Sequence, residues 1–171
     1  MAMLAMLTAL GACAETTVNA MTFNIRYGTA DDGDNSWPLR KHLVAETIDA
    51  YDPLVVGLQE CLAFQAEYLV EQLPSYRWFG VGRDADAGGE MTAILYQPAK
   101  VSALATGHFW LSEQPDEPGS VSWDSSLTRM ASYARFRHIA SNARFHVINT
   151  HFDHRGSEAR RESARLIAAR V

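Results

Sequence analysis

The chain has 171 residues, 47% of them hydrophobic and 20% charged, with a formal net charge of -5. This composition supplies the apolar material for one packed domain and excludes disordered and collagen-like chains. It also excludes a protein that grips nucleic acid by charge alone, because counterion release needs a clustered excess of Lys and Arg.

Residues 1–18 read as an export signal. The uncharged run Met1–Ala14 is too short to span a bilayer and suits a signal-peptide core, although no Lys or Arg precedes it. Ala12-Cys13-Ala14 fits a cleavage site, and Leu10-Gly11-Ala12-Cys13 resembles a lipoprotein box that would acylate Cys13; both readings stay open. The expected location is periplasmic or extracellular, with a membrane link only through a lipid on Cys13. Without Cys13 the remaining thiol is Cys61, so no intrachain disulfide is expected.

Residues 19–171 carry the folded domain. Met21, Phe23, Ile25 and Tyr27 alternate with polar residues, the period of a strand, which points Asn24 away from the apolar set. A turn-rich loop with Asp31, Asp32 and Asp34 follows, lacking the later Glu of a calcium loop. Pro38 opens a helix whose Leu39, Leu43, Val44, Ile48 and Tyr51 read as one stripe, ended by Asp52-Pro53. Leu54–Leu58 is a short apolar run, expected to be a strand covered on both faces that delivers Gln59 and Glu60 to its end. A second helix carries Leu62, Ala66, Leu69, Val70 and Leu73, closed by Pro74-Ser75. Strands alone then follow, at Tyr76–Val81, Met91–Tyr96, Val101–Leu111, Met130–Ile139 and Arg144–Phe152, as antiparallel meanders. A last helix starts from Ser157, read as its N-cap, and continues without a stop signal to Val171.

Chemistry-bearing residues gather at strand ends. Glu60 is either a ligand for a hard divalent cation or an acid in solvent, and Asn24 either an amide facing that site or a turn residue. Val147–Gly156 is more informative, since an apolar strand delivers His151, Asp153, His154 and Arg155 to a turn. Asn149 and His151 share a face, and Asp153 is near enough to orient an imidazole. His108-Phe109-Trp110 and Trp123 read as core or rim aromatics.

MTFNIRYG at Met21–Gly28, DPLVVGLQE at Asp52–Glu60, YRWFGVGR at Tyr76–Arg83 and VINTHFDHRG at Val147–Gly156, in that order, resemble the endonuclease/exonuclease/phosphatase superfamily. The resemblance implies an α/β (α+β) fold, a four-layer αββα sandwich, of which the C-terminal part is missing from these residues. It implies a phosphoester hydrolase that uses Mg²⁺, with Mn²⁺ or Ca²⁺ as alternatives, and most resembles phosphodiesterases and nucleases. A phosphatase or sphingomyelinase-like enzyme on small or lipid phosphates and a non-catalytic secreted binding domain are the alternatives. Glu60 matches the metal-binding Glu, Asn24 the Asn beside metal and phosphate, and His151 the active-site residue that contacts the phosphate. Arg129 is similar to a phosphate-contacting Arg, while Asp153, His154 and Arg83 are further candidates for substrate contact. The superfamily's later GDFN-like motif and final Asp-His pair have no counterpart in these residues, so general base and acid are unassigned. The substrate class stays open, the expected full-length protein is a monomer, and residues 1–171 alone are expected to be inactive and poorly stable for want of a second sheet.

Overall fold

A computed structural model describes residues 16–170. Cys13, the acylation site expected from the sequence, and the rest of residues 1–15 of the expected signal lie outside the described residues. Within them run strands β1 (Ala20–Asn24), β2 (Val55–Gln59), β3 (Arg77–Phe79), β4 (Ile94–Tyr96), β5 (Val101–Trp110), β6 (Met130–His138) and β7 (Arg144–Thr150), with helices α1 (Trp37–Tyr51), α2 (Ala63–Gln72) and α3 (Ser157–Arg170).

The strands form a four-stranded sheet ordered β1-β2-β4-β3 and a three-stranded sheet ordered β5-β6-β7. β1 and β2 are parallel, joined through α1, and every other pairing is antiparallel. The expected continuous apolar strand is β2, buried along its whole length. Val56 and Leu58 face Ile48, Ala66 and Leu69 of the helices, whereas Val55 joins Ile94, Val101, Ala134 and Phe136 between the sheets. On the far side Phe109, Leu111 and Ala131 pack under Leu166 and Ile167 of α3. The layers are therefore helices, sheet, sheet and helix.

The second sheet expected to be largely absent is present, because residues 101–150 close a meander from consecutive strands. The outer face of β7 is only partly covered, however. Phe145 and Val147 are half-buried toward the other sheet and Ile148 packs under α3, whereas Arg144 and His146 are exposed. In α1 the buried residues are Trp37, Val44, Ala45 and Ile48; Leu39, Leu43 and Tyr51 of the expected stripe point to solvent. Two apolar rows are available on this helix, and the sheet takes the one led by the tryptophan.

Close approach of the sheets is set by Gly57, where an added Cβ would lie 2.8 Å from the Asn149 side chain. Asn149 fills that space with polar atoms that are all used. Its amide donates to the carbonyls of Leu58 at 2.7 Å and Ala93 at 2.9 Å, and its oxygen accepts from Gln59 Nε2 at 2.6 Å. One side chain thus bolts β7 to the centre of the other sheet. At the opposite end Gln97 donates to Pro53 O and to the Tyr76 hydroxyl, fixing the turn after α1.

Candidate active site

The carboxyl ends of β1, β2 and β7 lie together at one end of the sandwich. Beyond β2 the chain turns sharply, with Glu60 in the left-handed region at a φ of 55° and Arg26, beyond β1, at 61°. For non-glycine residues each costs about 1 kcal/mol or more, so the surroundings must hold them. Asn24 Nδ2 donates to Glu60 Oε1 at 2.9 Å, the Tyr27 amide to Glu60 Oε2 at 3.1 Å, and Asn24 Oδ1 accepts from the Arg26 amide at 2.9 Å. Buried Gln65, at the start of α2, accepts from Gly28 N and Leu62 N and donates to Arg26 O. The turn after β1 is thereby tied to α2, and a Cβ at Gly28 would strike the Gln65 amide at 2.6 Å.

Burial opposes ionisation of Glu60, but the Asn24 and Tyr27 hydrogen bonds, with His151 and Arg26, outweigh it and hold its pKa below the ordinary Glu value. Each Glu60 oxygen keeps a lone pair after its one hydrogen bond. His151 faces the same space. Its Nδ1 is buried without a partner, and burial together with the charge of Arg129 lowers the imidazole pKa against the pull of Glu60. His151 is therefore biased to the neutral form, in which one ring nitrogen donates and the other accepts.

Glu60, His151, Arg129 and His154 line one cleft of about 400 Å³ with Arg26, Tyr27, Glu90 and Leu127. A narrow recess beneath it adds Arg83 and Thr92. Arg129 is 5% exposed, its Nη2 lies 3.2 Å from His154 Nδ1, and its buried Nε makes no hydrogen bond. Arg83 is held in a 2.7 Å ion pair with Glu90, and its carbonyl accepts from Trp110 Nε1. Asn24 stands one hydrogen bond behind the cleft, through Glu60.

Asp153 departs from both roles expected of it. Its side chain is 1% exposed, and it accepts from Ser126 N and Oγ, Arg155 N and Gly156 N, with Arg129 Nε 3.6 Å away. Burial opposes its charge, but these donors prevail and hold its pKa well below the ordinary Asp range. It makes no hydrogen bond to the His151 imidazole and does not line the cleft; it knots the β7–α3 turn to the loop before β6 and steadies Arg129. Ser157 is not the N-cap of α3 either. It is the first helical residue, and the Asp124 carboxylate accepts from the Glu158 and Ala159 amides.

Sequence reading missed Glu90, Arg26, Tyr27 and Leu127. Arg26 and Asp32 form a two-bond ion pair on the rim, which commits part of the aspartate loop to the site's edge. Among the described residues no cluster of three or more His, Cys, Asp or Glu is arranged as a metal site.

A two-sheet sandwich covered by helices, with a Glu, a His and an Arg meeting at the strand ends, defines a class. A sequence profile of the Endonuclease/Exonuclease/phosphatase family matches residues 21–170, and the chain belongs to that family. It is similar to a solved endonuclease/exonuclease/phosphatase of Bacteroides vulgatus, at 41% identity and a TM-score of 0.88 over 92% of this chain and 60% of that one. It is also similar to a mannosyl-6-phosphatase of Bacteroides thetaiotaomicron, at 35% identity and a TM-score of 0.85 over 90% of this chain and 58% of that one. A protein of Acanthamoeba polyphaga mimivirus is 29% identical over 130 residues, 68% of this chain and 46% of that protein. The chain thus spans no more than 60% of the length of these three relatives.

Proposed function

We propose that this chain forms the phosphate-binding half of a phosphoester hydrolase acting on small phosphorylated molecules. The observation that carries this reading is the confrontation, across one cleft, of an ionised Glu60 with neutral His151 and the Arg129–His154 pair. Arg129, backed at its buried Nε by the Asp153 carboxylate 3.6 Å away, lines the cleft with His154 and brings the guanidinium donors a phosphoryl group takes up. His151 donates to a phosphoryl oxygen from its neutral ring, so charge that grows there meets a fixed dipole. Asn24 and the Tyr27 amide hold Glu60 in one orientation.

The oxygen donors fit a Mg²⁺-type ion, which takes one or two carboxylates and otherwise keeps water. Glu60, with the Asn24 amide beside it, would hold such an ion, and Mn²⁺ or Ca²⁺ suit the same donors less selectively. When bound, it supplies Lewis-acid polarisation of a phosphoryl oxygen. Both acids on the cleft are engaged, Glu60 by Asn24 and Tyr27 and Glu90 by Arg83, so activation of the attacking water falls outside the described cleft residues. These residues alone are therefore expected to bind phosphate and turn it over poorly.

Two observations favour small phosphates over nucleic acid. Arg26 and Arg83 at the cleft are already paired with Asp32 and Glu90, leaving no run of free cations among the described residues that line it. A relative at 35% identity is described as a mannosyl-6-phosphatase. The test is calorimetric titration of inorganic phosphate with and without Mg²⁺, beside hydrolysis of nitrophenyl phosphate and its bis ester. Arg129→Met is expected to weaken phosphate binding at least about tenfold, and Glu60→Gln to remove the gain from Mg²⁺. Phosphate affinity unchanged in both variants would overturn the assignment.

A further inference from the structure

We propose that the outer face of the β5–β6–β7 sheet, beyond the cover of α3, docks on an anionic phospholipid surface. Tyr133, Arg135 and Arg137 of β6 share that face, each exposed, and exposed residues of β7 stand opposite two of them: His146 across from Arg135, and Arg144 across from Arg137. Among the described residues Arg135, Arg137 and Arg144 have no acidic partner; Arg40, Arg77, Arg155 and Arg160 also lack one, and it is the grouping of the first three on two paired strands that sets them apart. In a chain of net charge -5 this is a local reversal of sign. Like charges directly opposed on a ladder destabilise it, so the Arg137–Arg144 pairing is unfavourable until an anion covers it.

The form of the patch selects the occupant. Its cations lie about 5 Å apart between strands and about 7 Å apart along β6, spread over a sheet rather than converging on one phosphate. An array of headgroups matches that spread. Exposed apolar side chains border it: Tyr133 on the same face, Leu104 at the bulge of edge strand β5, and Ile139 just beyond β6. Cations mixed with aromatic and aliphatic side chains suit a bilayer interface better than a purely polar polyanion. Arg137 and Arg144 also sit at the end of the sandwich where Val18 and Phe145 pack against the cluster of Leu54, Val101 and Phe136. Cys13 precedes Val18 by five residues, a stretch that spans at most about 17 Å. A lipid on Cys13 and the basic face would therefore meet the same surface, with the cleft at the opposite strand ends, open to the aqueous side.

The full chain carrying Cys13→Ser, which cannot be acylated, isolates the contribution of the face. Flotation with phosphatidylglycerol-containing vesicles is expected to carry the chain, with binding that falls as salt is added, and pure phosphatidylcholine vesicles to leave it behind. Replacing Arg137→Glu and Arg144→Glu together is expected to cut the bound fraction at least about tenfold while leaving the melt unchanged. Arg137→Gln with Arg144→Gln serves if the reversed chain fails to fold, and Arg161→Glu on α3 is the control that retains binding. Equal uptake by both vesicle types would overturn the proposal, as would indifference to the double substitution. Retention on heparin without vesicle binding would assign the face to a soluble polyanion, and self-association without vesicle binding to a second copy.

Discussion

Glu60 and Asp153 are both acids just past a strand, yet one meets the cleft and the other anchors its wall. Strand periodicity places Glu60 and His151 at strand ends, which is why both are legible in sequence. It gives no direction to a side chain in a turn, and so Asp153 reads as a partner of His151 when its oxygens in fact collect the amides of Arg155 and Gly156. Glu90 and Arg83 were unreadable as a pair because the loop between them, folded on the Gly82 amide to Ala87 carbonyl bond, has no periodicity to follow. Asp153→Asn is expected to cost about 3 kcal/mol at neutral pH, since it leaves Arg129 buried and less well compensated. The folded pKa of Asp153 lies below its unfolded value, so its stabilisation is complete above the unfolded pKa and is lost as pH falls toward the folded one. Denaturant titrations should therefore show wild type and variant converging below a pH of about 4, and a constant gap would refute the role. His151, with its pKa lowered, acts in the same sense at higher pH. The unfolded chain takes up its proton first, so acidification below about 6.5 costs stability.

At the scale of elements, the strands were legible to within a few residues because their alternation is strong, and β2 because it is apolar throughout. Helix α1 lies where it was expected, and its expected stripe holds at Val44 and Ile48 but fails at Leu39, Leu43 and Tyr51. Its sequence carries apolar residues on more than one side, and only the sheet surface decides between the rows. Leu43→Lys is accordingly expected to change stability by less than about 0.5 kcal/mol, and Ile48→Ala to cost about 2 to 5 kcal/mol. Comparable losses in urea denaturation would return Leu43 to the core. Packing of sheet on sheet makes the sharper forecast. Gly57→Ala drives a methyl into Asn149, whose bonds to Leu58, Ala93 and Gln59 prevent it from moving aside, for a cost of about 1 to 3 kcal/mol. An unchanged midpoint would mean that the sheets can separate locally without loss.

Over the whole molecule, the four-layer arrangement was implied by family resemblance, and the local patterns could not have supplied it. Alternation tells which face of a strand is apolar, and never which other sheet it meets. The presence of both sheets also bears on stability. With the apolar faces of β2 enclosed by helices on one side and by β5, β6 and β7 on the other, residues 1–171 are expected to melt in one cooperative transition. Calorimetry checks this, and a broad, non-cooperative trace would support the poor stability first expected for these residues.

The span of the Asn149 hydrogen bonds has a kinetic consequence. The meander joins consecutive strands, so its pairings close short loops, whereas Asn149 reaches Leu58 across 91 residues and Ala93 across 56. Entropy of loop closure delays the second kind of contact relative to the first. Refolding should then protect the amides of β6 and β7 early and the Tyr27 amide, which reaches Glu60 across 33 residues, later. Pulse-labelled hydrogen exchange resolves that order. During synthesis the chain would become compact before its cleft was assembled, since the two walls of the cleft arrive with different sheets.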